Sequence, residues 1–562
     1  MGPLAAAALG GALFLVVFGW PLLDPGNIGW LMRHDSQTYY LAFEHFRREA
    51  WRWPPGLIEH IGYPVGTSIG NTDAIPLVAM PLKLVAAWLP TPFQFLGAWL
   101  FACWVLQGLF GALLARQVSS SRLVQALAGT LFVLAPPLLH RTGHAALCAH
   151  WTWLAALWLL SARDRLGPGV RTAGWVVLAA VTAAIQPYLA VGVVGLGLCA
   201  AANDLGSAPD GAARRLAAAL GAGVVGASAA VLWATGIFSV GSGDLRREGL
   251  GYFSMNLLAP VMPMGYSQWL PDVRMGTPGQ GEGFLYFGAG WLVLVAIAIA
   301  AAARRRGAGP RTPVVPRLGW AWAGVVAFTL LAVSPLVTAG PRVLADLNAW
   351  TPAAAATLRS SGRFGWIAMY LVFAIVVRAL ALRLPRRAAA GVLLLAVALQ
   401  LADLREAIAA VMRRERSPEW TQYQSPLSPV WDSVMPSYRH LVLAPSDMCG
   451  PAWPSPPAEH LPFSMLAARH GATVNSGNAG RYDADAVLRY CADAQRALTA
   501  GAVDDDSLYV VSQAVRAVLE GAARVPVSCG RFDAYDVCVT TTSLERWPSA
   551  TARAFSAAAP RP

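Results

Sequence analysis

Over its first two-thirds the chain alternates long apolar runs with short polar connections, and beyond that the runs shorten and mix. Apolar stretches lie near 4–23, 93–115, 123–140, 145–161, 172–186, 188–202, 216–237, 285–303, 318–338, 365–382 and 388–407. A membrane-spanning helix needs about 20 mainly apolar residues, so the pattern predicts about eleven spans. The run 74–89 is broken by Pro76 and Pro81 and carries Lys83, which predicts a re-entrant or interfacial segment instead. Runs 172–186 and 188–202, parted by Gln186-Pro187-Tyr188, predict a tight hairpin of two shallow helices. Residues 1–410 thus form an α-helical polytopic membrane domain with an external loop at 24–92.

Residues 411–562 are proline-rich from Pro418 to Pro457 and then alternate strand-like runs (440–444, 507–511) with a helix-like run at 483–498. Bounded apolar runs of strand length beside a helical period predict a small α/β domain.

Composition narrows the class. The chain is 56% hydrophobic and 13% charged, with mean hydropathy +0.47, whereas soluble proteins carry about 25% charged residues. A soluble enzyme is excluded. The net charge of +12 is almost all arginine, since Lys83 is the only lysine. Arg116 and Arg122, then Arg163, Arg165 and Arg171, then Arg214 and Arg215, then residues 304–317, then Arg383, Arg386 and Arg387 fall in alternate loops. Short loops rich in Arg mark the cytosolic side, so the charge reports orientation and not a nucleic-acid partner. The N-terminus is expected inside, and the loops 24–92, 141–144, 238–284 and 339–364, with everything after about 410, outside. A bacterial inner membrane is the expected location.

Cysteine use fits that orientation. Cys103, Cys148 and Cys199 lie in or beside apolar helices as small apolar side chains. Cys449, Cys491, Cys529 and Cys538 lie in the C-terminal domain, where four cysteines on an oxidising face suggest two disulfides. Of the three connectivities, Cys529–Cys538 is favoured because 526–529 and 535–540 can pair across Gly530-Arg531, leaving Cys449–Cys491. A four-cysteine zinc site lacks the CxxC spacing.

Three polar clusters could carry chemistry, all at predicted outer ends of helices. The first is Arg33-His34-Asp35-Ser36, followed by a helical pattern with Tyr39, Phe43 and Phe46 on one face and Glu44, Arg47 and Arg48 elsewhere, suited to lying on a membrane surface. Asp35 either caps this helix or serves as a general base beside His34. The second cluster, His140-Arg141-Thr142-Gly143-His144 with His150, places costly polar groups at apolar helix ends. Hydrogen bonding to substrate or Asp35 is favoured over a divalent metal there, because Gly143 interrupts the helix and no carboxylate accompanies the histidines. The third, Arg359-Ser360-Ser361-Gly362-Arg363-Phe364 at a helix start, suits an anion, unless the arginines only anchor the helix to lipid headgroups. Glu282-Gly283-Phe284 stands where the next span begins.

The acidic residue opening the first external loop (Asp35), the polar turn His140 to His144 and the interrupted hairpin at Gln186-Pro187-Tyr188 resemble the GT-C class of polytopic glycosyltransferases. His34-Asp35-Ser36, Gly143-His144, Glu282-Gly283-Phe284 and Ser361-Gly362-Arg363-Phe364 are similar to an uncharacterised bacterial membrane-protein family associated with that class. The resemblance implies inverting sugar transfer from a polyprenyl-phosphate carrier to a glycan, lipid or protein acceptor outside the membrane. Asp35 would be the base, His34 and His144 would orient it or the sugar, and Arg363, with Arg359, would hold the departing lipid phosphate. His140, Arg141, Glu282 and Tyr188 would line the substrate site, and no cofactor is implied. Where many GT-C members carry a second acidic motif, this chain has His140, Arg141 and His144, which departs from metal-dependent transfer. A lipid-linked glycan transporter or flippase, and a non-catalytic envelope-assembly scaffold, are the alternatives.

Overall fold

The computed structural model describes residues 1–33, 35–240, 249–303, 318–418, 422–452, 459–477, 479–480 and 482–557. They are mostly helical and divide into two units: 1–27, 94–231 and 245–421 form the first, and 28–93, 232–244 and 422–562 the second. The loop arginines expected within 304–317 lie outside the described residues.

In the first unit each predicted apolar run contains a helix, but fewer of those helices can span a membrane than expected. Four of the described helices are long and apolar enough: Leu96–Arg116, Pro187–Gly206, Gly211–Ala234 and Ser361–Arg383. Two bent pairs, Arg122–Val133 with Pro136–Gly143 (41°) and Arg386–Asp403 with Arg405–Arg416 (57°), raise the number to six. Gly2–Phe18, Ala145–Ser161, Ala289–Ala301 and Trp320–Val333 are apolar but shorter. Four to six candidate spans therefore replace the eleven. The difference arises because an apolar run measures composition, whereas a span needs an unbroken helix. The run at 4–23 stops at Gly19 (φ +80°), and the run at 318–338 stops before Pro335, where the chain turns into the strand pair Leu336–Ala339 and Arg342–Asp346. The predicted two-helix hairpin is present as Pro168–Ala183 and Pro187–Gly206, but its second helix is not shallow. Gln186 caps its second helix, its Oε1 accepting from the N–H groups of Tyr188 (2.5 Å) and Leu189 (3.3 Å), and that helix runs a full 20 residues.

Small residues let the first helices of this unit close on one another. A Cβ on Gly10 would stand 2.4 Å from the Trp104 carbonyl oxygen, one on Gly108 2.4 Å from that of Ala6, and one on Gly129 2.6 Å from that of Gly108. Backbones can approach this closely only without side chains between them.

The second unit is built on a five-stranded sheet. Strands β1 (His440–Ala444), β2 (Thr473–Val474), β3 (Ser507–Val511), β4 (Val527–Phe532) and β5 (Tyr535–Thr540) lie in the order β2-β1-β3-β5-β4. β1 runs parallel to β2 and β3, and β5 antiparallel to β3 and β4. The predicted strands at 440–444 and 507–511 and the helix near 483–498 are present, the helix as Ala484–Thr499. Cys529 faces Cys538 across β4 and β5, and the disulfides are Cys529–Cys538 and Cys449–Cys491. The hairpin turns at Asp533-Ala534, not at the predicted Gly530-Arg531, which sit within β4; Asp533 takes the left-handed φ of 51° that the turn requires.

Part of the predicted external loop belongs to this unit. Ile61 bridges Val474 beside β2, and the Val474 N–H donates to the His60 carbonyl at 2.8 Å. The helix Ser36–Phe46 is enclosed on all sides, contrary to the expected surface helix with a solvated polar face. Its Glu44 and Arg47, 4% and 6% exposed, pair at 3.0 Å, and Arg48 joins the same carboxylate. Arg47 also donates to the Pro90 carbonyl (3.0 Å) and Arg48 to the Thr91 hydroxyl (2.8 Å), so this polar face is held by protein groups. His45 Nε2 meets the backbone oxygen and hydroxyl of Ser464, both at 3.1 Å, tying residues 36–46 to the C-terminal segment.

Candidate functional site

Four of the predicted site residues converge in the first unit, and two glycines explain why. The Gly362 N–H donates to the Phe253 carbonyl at 3.0 Å, and a Cβ on Gly362 would lie 2.8 Å from Gly283 Cα. This near-contact of two backbones brings the flanking residues Glu282 and Arg363 together. Arg363 donates through Nε (3.0 Å) and a terminal nitrogen (2.7 Å) to Glu282 Oε2. Arg141, in the one-turn 3-10 segment after Pro136–His140, donates to Glu282 Oε1 at 3.2 Å and to the carbonyls of Gly281 (2.9 Å) and Glu282 (2.7 Å). The guanidinium of Arg363 lies 4.9 Å from the Tyr188 ring centroid, and the Tyr188 hydroxyl accepts from the Ser360 N–H at 3.2 Å.

Burial would raise the Glu282 carboxyl's pKa, but the charges of Arg363 and Arg141 and the hydrogen bond from Arg363 outweigh it and hold the group at about 2. The carboxylate is therefore ionised at neutral pH. Two guanidinium groups on one carboxylate leave a net charge of +1, with 3% of the Arg141 side chain, 12% of Arg363 and 21% of Glu282 exposed. Chemically, such a cluster can hold an anion in place of, or beside, the internal carboxylate.

The other predicted residues are placed differently. His140 Nδ1 pairs with the Tyr266 hydroxyl at 3.1 Å and its ring packs on Phe284 at 4.7 Å. His144 is half-buried two residues beyond Thr142 and contributes to the low value at Glu282. His150 takes separate partners, its Nδ1 meeting the Tyr370 hydroxyl at 2.7 Å. Arg359 is exposed and makes no ion pair among the described residues. Among those residues no group of three His, Cys, Asp or Glu side chains is arranged to hold a metal.

Asp35 belongs to the second unit and is exposed at the start of Ser36–Phe46. It occupies the N-cap position with helical backbone angles (φ −69°, ψ −19°), and its carboxylate makes no capping hydrogen bond, so the capping role is not realised. His34 lies outside the described residues.

Tyr266 and Asp403 were missed by sequence reasoning. Asp403 is fully buried; it accepts from the Tyr286 hydroxyl (2.7 Å) and from the Ala289 N–H (2.9 Å), which starts the apolar helix Ala289–Ala303. An acid inside the apolar run 388–407 was the available signal, since such a group must find partners. Nothing in the local sequence marks Tyr266.

A helical unit with candidate membrane spans, joined to a disulfide-bonded unit with a small sheet, defines the class of protein. Residues 7–405 match the family described as "Domain of unknown function (DUF6311)", and residues 430–540 match the "DUF6311 C-terminal domain". The chain belongs to that family. None of the curated proteins matches it.

Proposed function

We propose that the protein is a GT-C-type membrane glycosyltransferase that takes sugar from a polyprenyl-phosphate carrier on the outer face of a bacterial inner membrane. The disulfide-bonded C-terminal domain lies outside, supported by the need of disulfides for an oxidising compartment; a cytosolic N-terminus then requires an odd number of crossings, five among the four to six candidates. The observation that carries the proposal is the Arg141–Glu282–Arg363 cluster, a positively charged group set at the ends of apolar helices. Membrane proteins bear the cost of such groups mainly at substrate sites.

In the reaction, the acceptor hydroxyl attacks the anomeric carbon and gives its proton to a general base, the role that the resemblance assigns to Asp35. The bond from that carbon to the phosphate oxygen breaks, the configuration inverts, and the lipid phosphate leaves as an anion held by Arg363 and Arg141. Tyr188, stacked on the Arg363 guanidinium, keeps the fork oriented. The acceptor is a glycan, lipid or protein of the cell envelope.

The test is transfer of labelled sugar in membranes supplied with polyprenyl-phosphate sugars. Asp35→Asn should lower transfer by roughly 10²–10⁴-fold, the usual worth of a general base, with the protein still inserted. Arg363→Gln should raise the donor KM. Undiminished transfer by Asp35→Asn rejects the assignment.

A further inference from the structure

A second arginine pair in the first unit, sharing no residue with the site above, lines a cavity of about 240 Å³. It is lined by the apolar Leu159, Leu160 and Ala200 and by the polar Arg163, Arg171 and Asn203. The space far exceeds that of one water molecule.

The polar lining is organised by two residues at the end of the span Pro187–Gly206. Asp204 accepts from Arg163 Nε at 3.1 Å and from Arg171. Asn203 donates to the Leu318 carbonyl (2.9 Å) and accepts from the Trp320 N–H (2.7 Å), which fixes the start of the helix Trp320–Val333 against the cavity. A Cβ on Gly319 would stand 2.1 Å from Asn203 Oδ1, so this corner depends on glycine. Two guanidinium groups on one carboxylate again leave one positive charge. Arg171 is 7% exposed, yet its Nε has no hydrogen-bond partner.

We propose that this cavity binds the phosphate of an anionic membrane phospholipid, with Arg163 and Arg171 on the phosphodiester and the Leu159–Leu160–Ala200 wall against the start of an acyl chain. The net positive charge calls for an anion, and the apolar residues at the end of a candidate span distinguish a lipid from free phosphate. Basic pockets between membrane helices are suited to lipid headgroups. The inference does not depend on sugar transfer.

The test uses the full chain, purified and placed in nanodiscs of phosphatidylcholine alone or with phosphatidylglycerol, followed by native mass spectrometry and thermal unfolding. Wild-type protein should retain phosphatidylglycerol and unfold at higher temperature with it. The single variants Arg171→Gln and Arg163→Gln, each of which takes the site's net charge from +1 to 0 while the other arginine stays on Asp204, should each lower retention about tenfold. Arg405→Gln, an exposed arginine elsewhere in the unit, should not. Equal retention by the cavity variants, no retention by wild type, or equal stabilisation by inorganic phosphate would each overturn the proposal. Because binding is read without turnover, an active Asp35→Asn enzyme would leave this result untouched.

Discussion

Glu282 pairs with two arginines at once, so its removal should be felt more than that of any exposed acid. Glu282→Gln leaves the buried Arg141 guanidinium without a carboxylate and should cost about 3 kcal/mol, whereas Asp35→Asn, at an exposed position, should stay within about 0.5 kcal/mol; thermal unfolding in detergent compares them. A second prediction concerns pH. Burial, with the field of His60, lowers His45 from 6.5 to about 3, so the unfolded chain binds a proton that the folded one rejects and stability is lost as pH falls below 6.5. Burial raises Glu49 from 4.5 to about 7, so there the folded state holds the extra proton and stability is lost as pH rises above 4.5. The two effects oppose each other between 4.5 and 6.5. His45→Gln should therefore leave a decline with rising pH in that window, and Glu49→Gln a decline with falling pH. Hydrogen exchange of residues 36–46 reads both, and parallel profiles for the two variants would refute the assignment. Arg141, Glu282 and Arg363 were legible as candidates because charge at the end of an apolar run is conspicuous. Their mutual contact was not, since it depends on two glycine backbones meeting across 79 positions of chain.

Strands and disulfides of the C-terminal segment were legible because period and length agree there. The short apolar runs 440–444 and 507–511 became β1 and β3, and hairpin pairing put Cys529 opposite Cys538. The turn was misplaced because glycine was weighed above an aspartate that can also adopt positive φ. Cys449–Cys491 closes 42 residues and Cys529–Cys538 only 9. If unfolded-state entropy dominates, removing the first should cost about 4 kcal/mol and the second about 3. Melting of the double-serine variants of the full chain measures the order, and a reversed order would contradict the loop-length account. Helix Ser36–Phe46 shows where pattern misleads: its charges mimic a solvated face, but the partners that bury them, Pro90 and Thr91, are more than forty residues on.

Across the molecule, three separated stretches build the second unit, a grouping that no local composition announces. Membrane character was plain from hydropathy, whereas the number of spans depended on where helices break, which a run of apolar residues does not reveal. Orientation can be tested by protease added to intact spheroplasts. It should release fragments of 422–562 while sparing a tag at the N-terminus, and cleavage only after permeabilisation would invert the topology. Function is tested most directly by mass spectrometry of lipid-linked glycans and surface polymers from cells carrying the wild-type gene, its deletion, or Asp35→Asn. Sugar transfer predicts that one sugar disappears from an envelope glycan on deletion, that its polyprenyl-phosphate donor accumulates, and that Asp35→Asn reproduces both changes. Unaltered glycans in the deletion, or full restoration by Asp35→Asn, would contradict it.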